Sequence, residues 1–230
     1  QSMPKGLLGL VLLAGFFFAV DIVAWHIGIF KTKLGNATLL ANCASLLLAI
    51  YGIFLARKLP PPMQGAAILL AFAGAALLMG QSFEISPEHF EGDWLSLLAG
   101  LFYTFYLLAM IRVRESTESW SSLALASGSA ALFLLPVAWF AGEQILPGNW
   151  TPLIILALSS QVLGQGFLTY ALPHFSPLII GLALLLQPAL SAFAGWAAFN
   201  EAMTPLDYVG GAMVMAALVL VRLAEGRAKA

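Results

Sequence analysis

Eight apolar stretches run almost end to end through this chain of 230 residues, roughly at 5–30, 34–57, 62–80, 93–112, 121–142, 150–173, 177–199 and 204–223. An α-helix rises 1.5 Å per residue and the hydrocarbon core of a bilayer is about 30 Å thick, so a run of about twenty apolar residues is the length of one crossing. The breaks between the runs are short and polar or Pro-containing, from Lys31-Thr32-Lys33 to Glu201-Ala202-Met203-Thr204-Pro205. Only 9% of the residues are charged and 61% are hydrophobic, where a soluble domain carries about a quarter charged residues. So few charges cannot cover a water-facing surface. In lipid the backbone must satisfy its own hydrogen bonds, which leaves helices or closed barrels. A barrel would show ten-residue segments of alternating polarity instead. The predicted fold is therefore all-α, a polytopic transmembrane helix bundle with eight spans.

Lys and Arg concentrate in cytoplasmic loops. With the N-terminus inside, Lys5, Arg57, Lys58, Arg112, Arg114, Arg222, Arg227 and Lys229 fall inside, and only Lys31 and Lys33 fall outside. Glu84, Glu88, Glu91, Asp93, Glu143, Glu201 and Asp207 then lie outside. Both termini are expected on the cytoplasmic side. The net charge is −1, and the absence of a basic run argues against a nucleic-acid partner. A single Cys43 and three His provide neither an internal disulfide nor a clustered metal site, and no cofactor is expected.

Residues 28–55 lie on residues 171–198 at an offset of 143, with Leu39 on Leu182, Ala49 on Ala192 and Gly52 on Gly195. Each copy reads as a span, a tight turn, a second span, a Pro-containing break and a third span. The copies are five spans apart, an odd number, so the second is upside down relative to the first. Inverted repeats of this kind build secondary transporters, with the substrate site near the midplane. At the same offset, spans 93–142 have no counterpart upstream, so two helices of a first half are expected to be missing.

Two sets of residues carry a family resemblance. Asp21-Ile-Val-Ala-Trp25-His26 with Asn36-Ala-Thr-Leu-Leu-Ala-Asn42 resembles the third and fourth helices of EamA-type permeases of the drug/metabolite transporter superfamily. Tyr170-Ala-Leu-Pro-His-Phe-Ser-Pro177, Leu186-Gln187-Pro188-Ala189 and Phe199-Asn200-Glu201 resemble the eighth and ninth. The resemblance implies ten helices in two inverted five-helix halves, a bacterial inner (plasma) membrane location, and export of amino acids or similar small metabolites or drugs. On that reading residues 1–90 are a first repeat of three helices and residues 91–230 a complete second repeat. Ser45 stands where the family pattern has the proline kept at Pro188, and Arg57 where it has the acid kept at Glu201.

Asp21 is the one acid well inside a span. A charge at that depth costs about 3 kcal/mol on insertion scales and marks a functional group by default. It shares a helix face with Trp25, four residues on. Counting from the turns at 1.5 Å per residue puts Asp21 and Asn42 about 15 Å deep, and Gln165 and Gln187 at about the same level. Tyr103 and Tyr106, with Trp25 and Tyr170, are candidates to line a path for a zwitterion or planar solute. The candidate substrate-binding or coupling residues are thus Asp21, Trp25, Asn42, Tyr103, Gln165, Tyr170 and Gln187, and no catalytic residue is expected.

The expected function is a permease that moves a small solute by alternating access, with a proton as candidate coupling ion at Asp21. Neither H-E-x-x-H nor G-x-S-x-G occurs, which argues against a polytopic enzyme. The other reading is a membrane subunit that depends on a partner, or pairs as a homodimer, to make up for missing helices. An in-frame upstream extension holding two spans would separate truncation from such a partnership.

Overall fold

The computed structural model describes residues 5–57, 59–80, 86–199 and 203–229. Lys58, Glu84, Asn200 and Glu201, used above for orientation and resemblance, lie outside them. Every regular element among the described residues is helical: α1 Lys5–Lys31, α2 Leu34–Ala41, α3 Cys43–Ala56, α4 Pro62–Gly80, α5 Phe90–Val113, α6 Ser119–Phe140, α7 Thr151–Leu156, a π-helical stretch Ala157–Gly164, α8 Gln165–Ala171, α9 Pro177–Leu184, α10 Leu186–Phe199 and α11 Pro205–Lys229. A single 3₁₀ turn, Pro87–His89, precedes α5. Among these residues six helical stretches are long and apolar enough to cross a membrane, and Pro62–Leu78 and Pro177–Leu190 are shorter apolar helices. The chain is an all-helical polytopic bundle.

The helix starts follow from local chemistry. Pro62, Pro177 and Pro205 each open a helix, where the N–H that proline lacks has no intrahelical partner anyway. Ser176 caps α9 by accepting from the Ile179 N–H at 3.4 Å, and Arg57 closes α3 in the left-handed region at φ 51°. Trp94, Trp120, Trp139 and Trp150 are exposed at or beside helix ends, the level of the aromatic belt.

Three boundaries recur with one spacing. Helices α2, α3 and α4 begin at Leu34, Cys43 and Pro62, and α9, α10 and α11 begin 143 residues later at Pro177, Leu186 and Pro205. The ends of α2 and α3 recur at the same distance. Both copies break at the same point. Asn42 and Leu185 each sit between two helical segments with ψ near zero, −3° and −10°. In the second copy the cause is Pro188, which has no N–H to give to the turn before it. In the first copy Ser45 stands at that position and bonds its N–H to Asn42 O at 3.0 Å, a three-residue closure, yet the break remains.

The chain folds as two compact units. One contains residues 1–23 and 102–175, the other residues 24–101 and 176–230. In the second unit α4 packs along α11, and the shared face is built of small residues. Ala67, Ala71, Ala75, Val214, Ala217 and Val221 are all buried there. A Cβ on Gly74 would lie 2.7 Å from Gly210 O, and one on Gly210 would lie 2.7 Å from Gly74 O. The two backbones are therefore in direct contact, the packing that substitutes for a hydrophobic driving force in lipid. Helix α9 lies on α3 in the same way, with Gly181 against the Ser45 carbonyl. In the first unit Gly15 of α1 packs onto Ser129 of α6, and Gly166 of α8 meets the Trp120 ring.

Gly74→Ala or Gly210→Ala should each cost about 1–3 kcal/mol, the usual penalty for overpacking. The readout is the midpoint of thermal unfolding in detergent micelles. Gly65→Ala, where a Cβ meets nothing within 4 Å, should leave that midpoint nearly unchanged.

Candidate functional site

In the first unit the polar residues of three helices meet. Asp21 of α1 is half-buried, and its carboxyl is close enough to act electrostatically on both Tyr103 and Tyr106 of α5. Gln165, the first residue of α8, donates its amide N–H to the Tyr103 hydroxyl oxygen at 3.2 Å. The Tyr106 hydroxyl points at the same amide's oxygen from 3.5 Å, the outer limit of a hydrogen bond. The two phenol rings stack with centroids 5.7 Å apart, and Tyr106 stacks on Phe18 of α1 at 4.6 Å. Tyr106 is fully buried.

Aromatic rings wall this cluster. Phe17 lies 5.4 Å from Phe105 and 5.8 Å from Phe102, and Phe16 lies 5.5 Å from Phe133 of α6. These rings come from two dense runs, Phe16-Phe17-Phe18 and Phe102-Tyr103-Thr104-Phe105-Tyr106. That clustering in mid-span was the available sequence signal for the phenylalanines, which depth counting of polar residues passed over. Below Gln165 the helix widens into the π-helical stretch Ala157–Gly164, a form that occurs mostly as short insertions at functional sites. Gln161, inside that stretch, donates to Ser127 Oγ of α6 at 2.8 Å, so the widened turn is tied to a neighbouring helix.

Asp21, Tyr103 and Gln165 are thus brought together. Tyr170 is not part of the same set of contacts: it is exposed and stacks on His174 at 4.7 Å. The His174 Nδ1 lies 2.8 Å from Tyr170 O, closing the turn at the end of α8. Thr169 is buried, and its carbonyl accepts from Arg114 Nε at 3.1 Å, which ties α8 to the turn after α5.

Trp25, Asn42 and Gln187 belong to the second unit. Trp25 is half-buried on α1, and Gln187 is exposed in the first turn of α10, just past the break at Leu185. Asn42 turns its amide back onto its own helix, donating to Thr38 O at 2.8 Å. Thr38 does likewise to Leu34 O at 2.8 Å. A polar group bonded to the carbonyl four residues back is satisfied locally. Helix α5 lies against the break at Asn42, with Gly100 against the Ala41 carbonyl and Cys43 Sγ 3.7 Å from Leu97 O.

One tie of this unit had no sequence forecast. Asp93, in the first turn of α5, accepts from Thr32 Oγ1 at 2.5 Å and from Asn36 Nδ2 at 3.0 Å, and Lys31 pairs with Glu91. Gly92 fits against the Lys31 carbonyl. The opposite charges at 31–33 and 91–93 were visible in the sequence, but their pairing needed the fold. Among the described residues no group of three His, Cys, Asp or Glu is placed to hold a metal ion.

Comparison with known proteins follows the same line. Residues 90–223 match the EamA-like transporter family. The pseudopaline exporter CntI of Pseudomonas aeruginosa is 23% identical over 222 residues, covering 94% of this chain and 76% of that protein. The threonine/homoserine exporter RhtA of Escherichia coli is 26% identical over 197 residues, 84% of this chain and 64% of that protein. A solved crystal structure superposes with a TM-score of 0.71 at 19% identity, covering all of this chain and 91% of its own.

If Tyr103 and Gln165 bond as placed, their coupling should appear in a double-mutant cycle of Tyr103→Phe and Gln165→Ala. The expected coupling is about 0.6 kcal/mol, the average for a polar pair between membrane helices, measured by unfolding in bicelles.

Proposed function

The chain belongs to the EamA-like transporter family, and on that footing we propose that it carries a small amino-acid-like metabolite out of the cell by alternating access. It is a multipass membrane transporter. The observation that carries the finer reading is the setting of Asp21, a carboxyl well inside a span and within electrostatic reach of Tyr103 and Tyr106, the two phenols that Gln165 joins. Such a group can hold a substrate's ammonium or take up and release a proton, and the phenols and amide beside it offer both donors and acceptors. The relatives named as exporters of pseudopaline and of threonine and homoserine support an amine- and carboxylate-bearing solute. Trp25, Asn42, Gln187 and Tyr170 are proposed as secondary contributors to solute passage.

The location we propose is a bacterial inner membrane with both termini cytoplasmic, as the distribution of Lys and Arg favours. The three-helix boundary recurrence supports reading residues 1–90 and 91–230 as parts of two related repeats. A homodimer or a pairing with a partner subunit is proposed as the functional assembly. No enzymatic role is proposed, because the polar cluster holds no nucleophile paired with a base.

Reconstituted in vesicles with an imposed pH gradient, the Asp21→Asn protein should lose proton-dependent solute flux while still inserting and folding. Flux equal to that of the unaltered protein would remove Asp21 from the mechanism. Tyr103→Phe should lower flux several-fold rather than abolish it, as expected for a group that positions rather than carries.

A further inference from the structure

We propose that the widened stretch Ala157–Gly164 is a register switch, which sets or withdraws the Gln165 amide at Tyr103 and Tyr106 by passing one surplus residue along the helix. A π-helical bond runs five residues instead of four, so the stretch holds one residue more than an α-helix needs over the same path. The five-residue closure reaches Gln165 itself, whose N–H bonds to Ser160 O. On either side the closures are four residues long, from Ala157 N–H to Leu153 O and from Leu172 N–H to Leu168 O. The surplus therefore lies directly before the amide that joins the two phenols. Proline is not its cause, since Ala157–Gly164 contains none. The ties that accompany it are side-chain bonds, Gln161 to Ser127 Oγ at 2.8 Å and Gln165 to the Tyr103 hydroxyl at 3.2 Å.

Moving the surplus past Gln165 turns that residue by about 100° and advances it by about 1.5 Å. Gly164 then stands where Gln165 stands now, and the Tyr103 and Tyr106 hydroxyls lose their amide partner. Gln165 moves to the place of Gly166. Gly164 has an ordinary helical φ of −61°, and a Cβ there would meet only Ser159 O, at a normal contact of 3.6 Å. Neither backbone nor packing asks for glycine at this position, where it costs about 1 kcal/mol against alanine. A bare residue beside Gln165 makes the shift an on–off change instead of an exchange of one polar group for another.

Gly166 has a different task. A Cβ there would lie 3.0 Å from the Trp120 ring, so Gln165 can arrive at that place only by displacing the ring. Trp120 is 63% exposed and has room to swing aside. The ring is thus the catch that holds the present register. Ser159 eases the move: its Oγ donates to Ile155 O at 2.7 Å and lies 3.4 Å from Leu156 O. A hydroxyl between two carbonyls is on hand for one that loses its N–H partner, the way transmembrane helices re-satisfy a disturbed backbone. If the cluster handles a solute as proposed above, the shift frees both phenol hydroxyls for it, but the switch itself does not rest on that reading.

The test needs no solute and no transport. Protein in nanodiscs carries fluorotyrosine in one sample and fluorotryptophan in another, with signals assigned by Tyr103→Phe and Trp120→Phe. Fluorine NMR should show two environments for each ring, major and minor, in one shared ratio. Gly164→Gln restores an amide to the phenols in the shifted register, so the minor fraction at Trp120 should rise by about threefold or more. Deleting Leu163, an exposed residue, removes the surplus and should leave a single environment at each ring. If the deletion does not fold, Gly164→Gln decides alone. An unchanged Trp120 ratio in folded Gly164→Gln overturns the proposal and leaves the widening a fixed seat for Gln165. Two environments that persist in the folded deletion, or different ratios at the two rings of the unaltered protein, overturn it as well.

Discussion

A peptide group inside hydrocarbon has no water to bond, and almost everything in this structure answers to that fact. Helices satisfy the backbone along its own length, which leaves helix-to-helix attraction to close contact alone. Lipid tails are as apolar as leucine, so bulk offers little advantage and proximity offers much. The consequence is the choice of glycine and alanine at the shared faces. Gly74 and Gly210 bring two backbones together, Gly181 rests on a carbonyl of α3, and Gly15 takes in Ser129. Where the helix is interrupted, at Asn42, at Leu185 and over Ala157–Gly164, the backbone bonds shift to three- or five-residue closures rather than going unmade.

The same constraint decides which polar side chains are informative. Thr38, Asn42 and Ser159 spend a hydrogen bond on their own helix, to the carbonyl four residues back. Asp21 has no donor to spend in that way as a carboxylate, and it lies within electrostatic reach of two phenols on another helix. A half-buried acid so placed has been retained against its insertion cost of about 3 kcal/mol. This is why the Asp21 cluster, rather than the polar stripe on α2 and α3, carries the functional reading.

Much of the fold could be read in advance because length and proline punctuation are one-dimensional signals. The spans expected at 62–80 and 177–199 start at the same prolines that open α4 and α9. The break at Leu185 had a visible cause in Pro188, whereas the break at Asn42 had none, since Ser45 is an unremarkable helix residue. Depth counting grouped Asp21, Asn42, Gln165 and Gln187 by level, and the fold divides them, with Asp21 and Gln165 in one unit and Asn42 and Gln187 in the other. Depth says nothing about direction, however. Tyr170 is five residues after Gln165, about 140° around the helix, and it meets His174 instead. Nor could the sequence show that the chain divides into units drawn from both ends, as residues 1–23 with 102–175 and 24–101 with 176–230.

The recurrence of helix boundaries after 143 residues also bears on what the two sets of helices can tolerate. Ser45 stands at one break where Pro188 stands at the other, and the boundaries on either side keep their spacing. A change of length is another matter. One residue inserted in α4 ahead of Gly74 would turn the rest of that helix by about 100° and advance it by 1.5 Å, carrying the glycine away from its partner on α11. What the packing of α4 on α11 fixes is therefore a count of residues more than a list of them.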